Sequence, residues 1–208
     1  MNGNQYLEVP MPGTTTPNPY FDGPLPVGIN GKNILIIFQD VTRFTNSYIV
    51  ENSQLQKALN FFDADTFNSE TVRVMFRVCD EDRNHGIDFS EFLSLWRRLL
   101  HFQKIFYNLD SSGLGGLSFD RYYEGLQEMG FSLSRSFFEY YFWKHIPGNI
   151  IQQHSRSYTA PVMSFDSFVQ SCLNLQRMTL IFKSLDSSMT GRISMPYNQF
   201  LEGISSLI

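Results

Sequence analysis

Twelve consecutive residues near the middle of the chain carry the donor pattern with the clearest chemical use: Asp80-Glu81-Asp82-Arg83-Asn84-His85-Gly86-Ile87-Asp88-Phe89-Ser90-Glu91. Oxygen-bearing groups recur at alternate places. Asp80, Asp82 and Asn84 offer side-chain oxygens at the first, third and fifth positions, and Gly86 offers its carbonyl at the seventh. Asp88 at the ninth would act through a water, and Glu91 at the twelfth would give both carboxylate oxygens. A hard cation of the size of Ca2+ takes six to eight oxygens at flexible geometry, which is what this spacing supplies. Ile87, at the eighth position, is the apolar residue that would pair with a neighbouring loop.

The pattern is that of an EF-hand loop, with one departure. Its sixth position, normally Gly because the backbone turns left-handed there, is His85, at a strain on the order of 1 kcal/mol. A solvated acidic turn is the alternative reading. Six matched positions between apolar helical segments favour the ion.

EF-hands come in pairs, and four weaker frames follow from the same template. Asp110-Ser111-Ser112-Gly113-Leu114-Gly115-Gly116-Leu117 has the glycine and apolar positions, but Arg121 stands where the bidentate carboxylate belongs. Its guanidinium is expected to act as an internal cation, paired with Asp110 or Asp120. Asp186-Ser187-Ser188-Met189-Thr190-Gly191-Arg192-Ile193 lacks an acidic last ligand and runs into Pro196. A frame ending at Ile49–Val50 has Thr42, Phe44 and Asn46 in place of acids. Another ends at Met163-Ser164-Phe165-Asp166, after Pro147–Gly148 stop a helix. Of five frames, one has a full ligand set.

The elements that must hold these loops are helical. Ile34, Ile37, Phe38 and Val41 repeat at helical spacing, as do Val72, Met75, Phe76 and Cys79, and Leu55, Leu59 and Phe62 continue it. Two stretches free of Gly and Pro, Asp88 to Leu109 and Ser164 to Leu185, are each long enough for five to six turns. No alternating β-branched run predicts a sheet. Residues 1–31 hold six of the nine Pro and no Lys or Arg, so an extended, mobile tail is expected there.

Composition removes several function classes. The 208 residues are 42 % hydrophobic and 15 % aromatic with twenty Phe, enough for a sizeable core. A net charge of -4, with Arg97–Arg98 as the only adjacent basic pair, speaks against nucleic acid as a partner. Cys79 and Cys172 are too few for a disulfide framework and sit in helical apolar stretches. The start has neither a basic nor an apolar leader region, and no apolar run is long enough to span a bilayer, so a cytoplasmic protein is expected. The four His are dispersed and no HExxH or GxSxG element occurs, so no catalytic site is expected.

Several segments resemble the penta-EF-hand family: Phe67-Asn68-Ser69-Glu70-Thr71-Val72-Arg73, Phe89-Ser90-Glu91-Phe92 with Leu95-Trp96, Met129-Gly130-Phe131-Ser132-Leu133-Ser134, Phe165-Asp166-Ser167-Phe168, and Cys172 to Thr179. The resemblance covers about residues 33–208. It implies an all-α domain of about eight helices behind a Pro/Gly-rich tail at 1–32, with hands near 34–60, 69–100, 100–129, 134–175 and 176–208. It further implies that hands one and two pair, that three and four pair, and that the fourth and seventh helices each serve two hands. The family's strongest Ca2+ sites usually include hands one and three, which are the degraded loops here.

Five is odd, so the fifth hand is implied to pair with that of a second chain, with Ile193, Phe200, Leu201 and Ile204 at the interface. The expected function is a Ca2+-responsive dimeric adaptor for target proteins or membranes, with reversible membrane or vesicle association. The alternative is a largely Ca2+-insensitive structural or regulatory subunit of a heterodimer. One segment bears further on partners: Phe137-Phe138-Glu139-Tyr140-Tyr141-Phe142-Trp143 is aromatic on nearly every helical face. It reads either as a helix buried on both sides or as the wall of a groove for Pro- and aromatic-rich peptides.

Overall fold

The computed structural model describes residues 25–28, 31–62, 67–110, 113, 115–147, 161–186 and 189–205, excepting the side chains of 203 and 204. Residues 1–24 of the expected tail, and most of the loop after Pro147, lie outside the described residues.

The two stretches without Gly or Pro form the longest helices, α4 (Phe89–Leu109) and α7 (Phe165–Leu185), of 21 residues each. The Asp88 side chain accepts from the Glu91 N–H at the start of α4, and Ser164 accepts from the Ser167 N–H at the start of α7. Each cap satisfies a donor that the first helical turn leaves open. At their far ends the capping residues are Asp110 and Asp186, the first residues of the next loops. One helix therefore leaves one loop and enters another, as the resemblance implied.

The remaining helices are α1 (Ile34–Val41), α2 (Asn52–Leu59), α3 (Ser69–Cys79), α5 (Phe119–Glu128), α6 (Arg135–His145) and α8 (Tyr197–Ser205). Asn33, Asn68, Ser118 and Ser134 cap four of them through their side chains. Among the described residues there are eight helices, and the all-α fold is the one expected. The short extended pieces all lie in loops. Ile49 and Ile87 exchange two backbone hydrogen bonds of 2.9 and 2.8 Å, joining the loops of hands one and two. The strands β1 (Gly116–Leu117) and β2 (Met163–Ser164) pair antiparallel and join hands three and four.

The abundant Phe residues form a continuous path through the core. Phe38 meets Phe92, Phe92 meets Trp96, and Trp96 meets Phe62, with centroids 5.3–5.7 Å apart. Phe62 then contacts Phe67, which reaches Phe165 of α7 at 5.8 Å. From there the path runs through Phe106, Phe168 and Tyr122 to Phe142. Tilted and edge-on ring pairs of this kind add about 0.5–1.5 kcal/mol each beyond the area they bury. The Phe67–Phe165 step joins the two pairs of hands. Beside it the Asn68 N–H donates 3.1 Å to Asp166 Oδ1, and the Asn68 side-chain amide donates to Oδ2.

The aromatic helix α6 has one core face. Phe138, Tyr141 and Phe142 are buried, whereas Tyr140 and Trp143 are exposed, so burial on both sides does not hold. Cys79 and Cys172 are free and buried as expected, and burial pushes the Cys79 thiol up to about 12. At the C-terminal end α8 leaves Tyr197, Phe200 and Leu201 at 74, 48 and 44 % exposure.

Phe165→Ala is expected to lower the unfolding free energy by about 3–5 kcal/mol, because it empties the joint of the aromatic path. Phe44→Ala, at a residue 91 % exposed, is expected to change it by less than about 0.5 kcal/mol. Paired urea melts of the two variants measure the contrast, and equal effects would contradict this account of the core.

Candidate metal site

The strongest loop of the sequence is held from both ends. α3 stops at Cys79 because the Asp80 N–H still reaches the Phe76 carbonyl, at 3.1 Å, while the Asp80 backbone leaves helical geometry. α4 restarts on a reciprocal cap in which Asp88 Oδ1 accepts from the Glu91 N–H and Glu91 Oε2 accepts from the Asp88 N–H, both at 2.9 Å. The other Glu91 oxygen accepts from the Glu81 N–H at 2.9 Å, so this carboxylate ties the beginning of the loop to its end.

Between them the loop folds around its own acceptors. Asp82 takes the Asn84 N–H at 3.0 Å and the Asn84 side-chain amide at 2.8 Å, and Asn84 Oδ1 takes the Gly86 N–H at 2.9 Å. Asp80 Oδ2 accepts from the His85 N–H at 3.2 Å. His85 has φ 66°, the left-handed turn that its position requires. Arg83 is also left-handed, at φ 59°, which the sequence template did not reveal. Gly86 lies against Tyr48 of the neighbouring loop, where a Cβ would stand 3.1 Å from Tyr48 Cδ1.

Three of the six proposed ligand residues converge: oxygens of Asp80, Asp82 and Glu91 all lie within 4.8 Å of one another. Asp88 stands outside that cluster as the helix cap. Asn84 turns its amide to the loop backbone and to Asp82. Asp80 Oδ1 is buried and has no hydrogen-bond partner. A buried carboxylate oxygen without a donor, on a residue that converges with two other carboxylates, favours a cation at that place. Glu91 reports the same demand. Burial raises its pKa above the usual glutamate value, the N–H groups of Asp88 and Glu81 pull it down, and Asp88 and Asp82 repel its charge. The residues present therefore fit a hard divalent cation.

The other loops meet their acceptors differently. In hand three Asp110 Oδ2 accepts from the Gly115 N–H at 2.7 Å. Arg121 is not the internal cation expected there. Its guanidinium bonds Glu124, one turn along α5, at 2.8 Å and half-exposed, while Asp120 pairs with Arg135. The short i,i+3 reach along the helix prevails over folding back into the loop. In hand five Asp186 accepts from the N–H groups of Thr190 and Gly191, at 3.1 and 2.7 Å.

Hand one contains a residue that the template missed. Counting twelve from Thr42 ends on Ser53, yet an extra residue, Val50, separates the paired Ile49 from the helix cap Glu51. Gln54 thereby takes the third helical place, the place that Glu91 takes in hand two. Its Oε1 accepts from the N–H groups of Val50 and Glu51, at 2.9 and 3.1 Å. Its Nε2 donates to the Val41 carbonyl at 2.9 Å and to Thr45 Oγ1 at 3.2 Å. The Glu51-x-x-Gln54 capping box was the legible signal.

Helix–loop–helix units paired through their loops, with one loop presenting an acidic ring, define an EF-hand protein. No family model matches the chain. Over 179 residues it is 28 % identical to peflin of Danio rerio, covering 86 % of this chain and 62 % of that protein. It is 27 % identical to human sorcin over 141 residues, 68 % of this chain and 65 % of sorcin. It is 28 % identical to human calpain small subunit 1 over 138 residues, 66 % of this chain and 47 % of that subunit. These matches span less than two thirds of each of the three relatives. Among solved structures, a homolog of programmed cell death 6 protein from Leishmania major Friedlin shares the fold, with a TM-score of 0.57 and 22 % identity over 85 % of this chain and 95 % of that one. The chain is thus similar to peflin, sorcin and calpain small subunit 1, all of them penta-EF-hand proteins.

The left-handed backbone at His85 sets a stability test. His85→Gly is expected to leave stability unchanged or raise it by up to about 1 kcal/mol, and His85→Val to lower it by about 1–2 kcal/mol, because a β-branched side chain tolerates that φ least. Chemical denaturation in the presence of a chelator ranks the two.

Proposed function

We infer that the protein binds a single Ca2+ through hand two and uses it to modulate contacts with other proteins. The proposed ligands are Asp80, Asp82, Asn84, the Gly86 carbonyl, Asp88 through a water, and Glu91. The observation that carries this reading is the convergence of Asp80, Asp82 and Glu91, at a residue, Asp80, whose buried Oδ1 has no hydrogen-bond partner. The remaining ligands need only local change: the Glu91 carboxylate exchanges two backbone N–H bonds for the ion, and the Asn84 oxygen leaves the Gly86 N–H. Those exchanges, with the strain at His85, hold the dissociation constant at about 10⁻⁵ to 10⁻⁴ M, the weak edge of the sensor range.

The partner reading rests on α8. Its apolar residues Tyr197, Phe200 and Leu201 are exposed, Ile193 is half-buried, and among the described residues Ile193 takes part in no inter-loop bridge. The Ile204 side chain lies outside the described residues. A second chain presenting the same hand would pair with Ile193 and cover this face under two-fold symmetry. The protein is thus a dimeric, Ca2+-responsive, cytoplasmic adaptor rather than an enzyme, and the membrane or vesicle surfaces it visits are reached with Ca2+. No helix among the described residues is long and apolar enough to cross a membrane. A second reading, the regulatory half of a heterodimer, is favoured by one observation: the acceptors of hands one, three and five are already met by hydrogen bonds within the chain.

Titration calorimetry of the full chain is expected to give one Ca2+ per chain, and Glu91→Gln to weaken binding at least tenfold. Unchanged binding in that variant would remove hand two as the site. Sedimentation is expected to show dimers of the wild type and monomers of Phe200→Asp at tens of micromolar, a range typical of such interfaces at about 8 kcal/mol. A wild-type monomer would favour the heterodimer.

A further inference from the structure

Hands one and two differ at one equivalent place by a carboxylate against an amide. Glu91 offers acceptors alone, and its two oxygens hold the Glu81 and Asp88 N–H groups. Gln54 offers one acceptor and two donors. Its oxygen holds the Val50 and Glu51 N–H groups, both at the end of the loop, and its nitrogen is left to reach the loop's beginning by donating. The recipients are the Val41 carbonyl, at the end of α1, and the Thr45 hydroxyl, within the loop. One side chain thus links the incoming helix, the loop and the outgoing helix, the three parts that a bound cation would link. Thr45 passes the connection on. Its hydroxyl donates to the Tyr48 carbonyl, next to Ile49, which exchanges two hydrogen bonds with Ile87 of hand two.

We propose that Gln54 stands in for the ion in hand one and keeps that hand permanently closed, so that its loop is a fixed template for the ion site of hand two. Gln54 is a positioning residue: it acts on Asp88 and Glu91 through the Ile49–Ile87 bridge. Ca2+ then meets a loop already paired on its Ile87 side, and the first pair of hands binds one ion without the second, cooperative site that two acidic loops would give. The part of this inference that concerns Ca2+ rests on the reading of hand two as the ion site. The part that concerns the closure of hand one does not.

The test is amide hydrogen exchange of the full chain by NMR in a chelator, on wild type, Gln54→Glu and Gln54→Ala. Wild-type Ile49 and Ile87 amides are expected to be protected without Ca2+. Gln54→Glu keeps size and acceptors but loses both donors, and is expected to lower protection at these two amides about tenfold, the effect of one or two net hydrogen bonds. The buried Leu173 of α7 is expected to keep its protection. Gln54→Ala, which also loses the oxygen that holds the Val50 and Glu51 N–H groups, is expected to lower protection at these amides at least as far as Gln54→Glu. Unchanged protection at Ile49 and Ile87 in Gln54→Glu, or an equal loss at Leu173, would overturn the proposal. In a parallel Ca2+ titration, Gln54→Glu is expected to weaken hand two at least about fivefold. A wild type that binds no Ca2+ would defeat the ion reading alone, because the exchange comparison in chelator still decides the role of Gln54.

Discussion

A loop that reverses the chain between two helices in about twelve residues collects oxygen acceptors faster than it collects donors. The incoming helix ends in open carbonyls, the turn is built from Asp, Asn, Ser and Thr, and their short side chains point inward. The surplus must be met from within or by a cation, because an unmet buried acceptor costs about 1–3 kcal/mol. Every described loop of this protein is a solution to that imbalance. Hand one uses the Gln54 amide, hand three the Gly115 N–H on Asp110, and hand five the Thr190 and Gly191 N–H groups on Asp186. Hand two alone retains a crowded ring of carboxylates with a partnerless buried oxygen among the described residues.

Ion chemistry and architecture are connected through the paired loops. Since the loops pair through Ile49–Ile87 and through β1–β2, the state of one loop is felt by its partner. Under the proposed closure, hand one gives hand two a neighbour that does not change with the ion, and movement driven by Ca2+ would leave by the helices, along α3 and α4. α3 packs on α7 at the Phe67–Phe165 contact and the Asn68–Asp166 bonds, the joint between the two pairs of hands.

The aromatic excess finds its reason in the same joint. The two pairs of hands meet where α3 and α4 both pack on α7. A path of rings from Phe38 to Phe142 makes one core of both. The residues left off the path are informative. Phe200, Leu201 and Tyr197 on α8, and Tyr140 and Trp143 on α6, remain at the surface.

The sequence by itself determined what depends on local spacing. The acidic loop, the left-handed turn at His85, the two 21-residue helices bounded by Asp88 and Ser164, and the apolar faces of α1 and α3 were legible because helix periodicity, caps and turn chemistry act within a few residues. Tertiary structure decided the rest, for reasons of competition between partners. Arg121 had three carboxylates within sequence reach, and only the orientation of α5 turned it to Glu124 and gave Asp120 to Arg135. The aromatic α6 had no face marked as inner until it packed on α7. Gln54 falls one residue beyond the twelve counted from Thr42. Its meaning lay in an extra residue between Ile49 and Glu51, which shifted the register by one and carried its amide to the carbonyl of Val41. A template that counts along the chain registers spacing, whereas the imbalance of donors and acceptors is settled only where the folded backbone brings the two together.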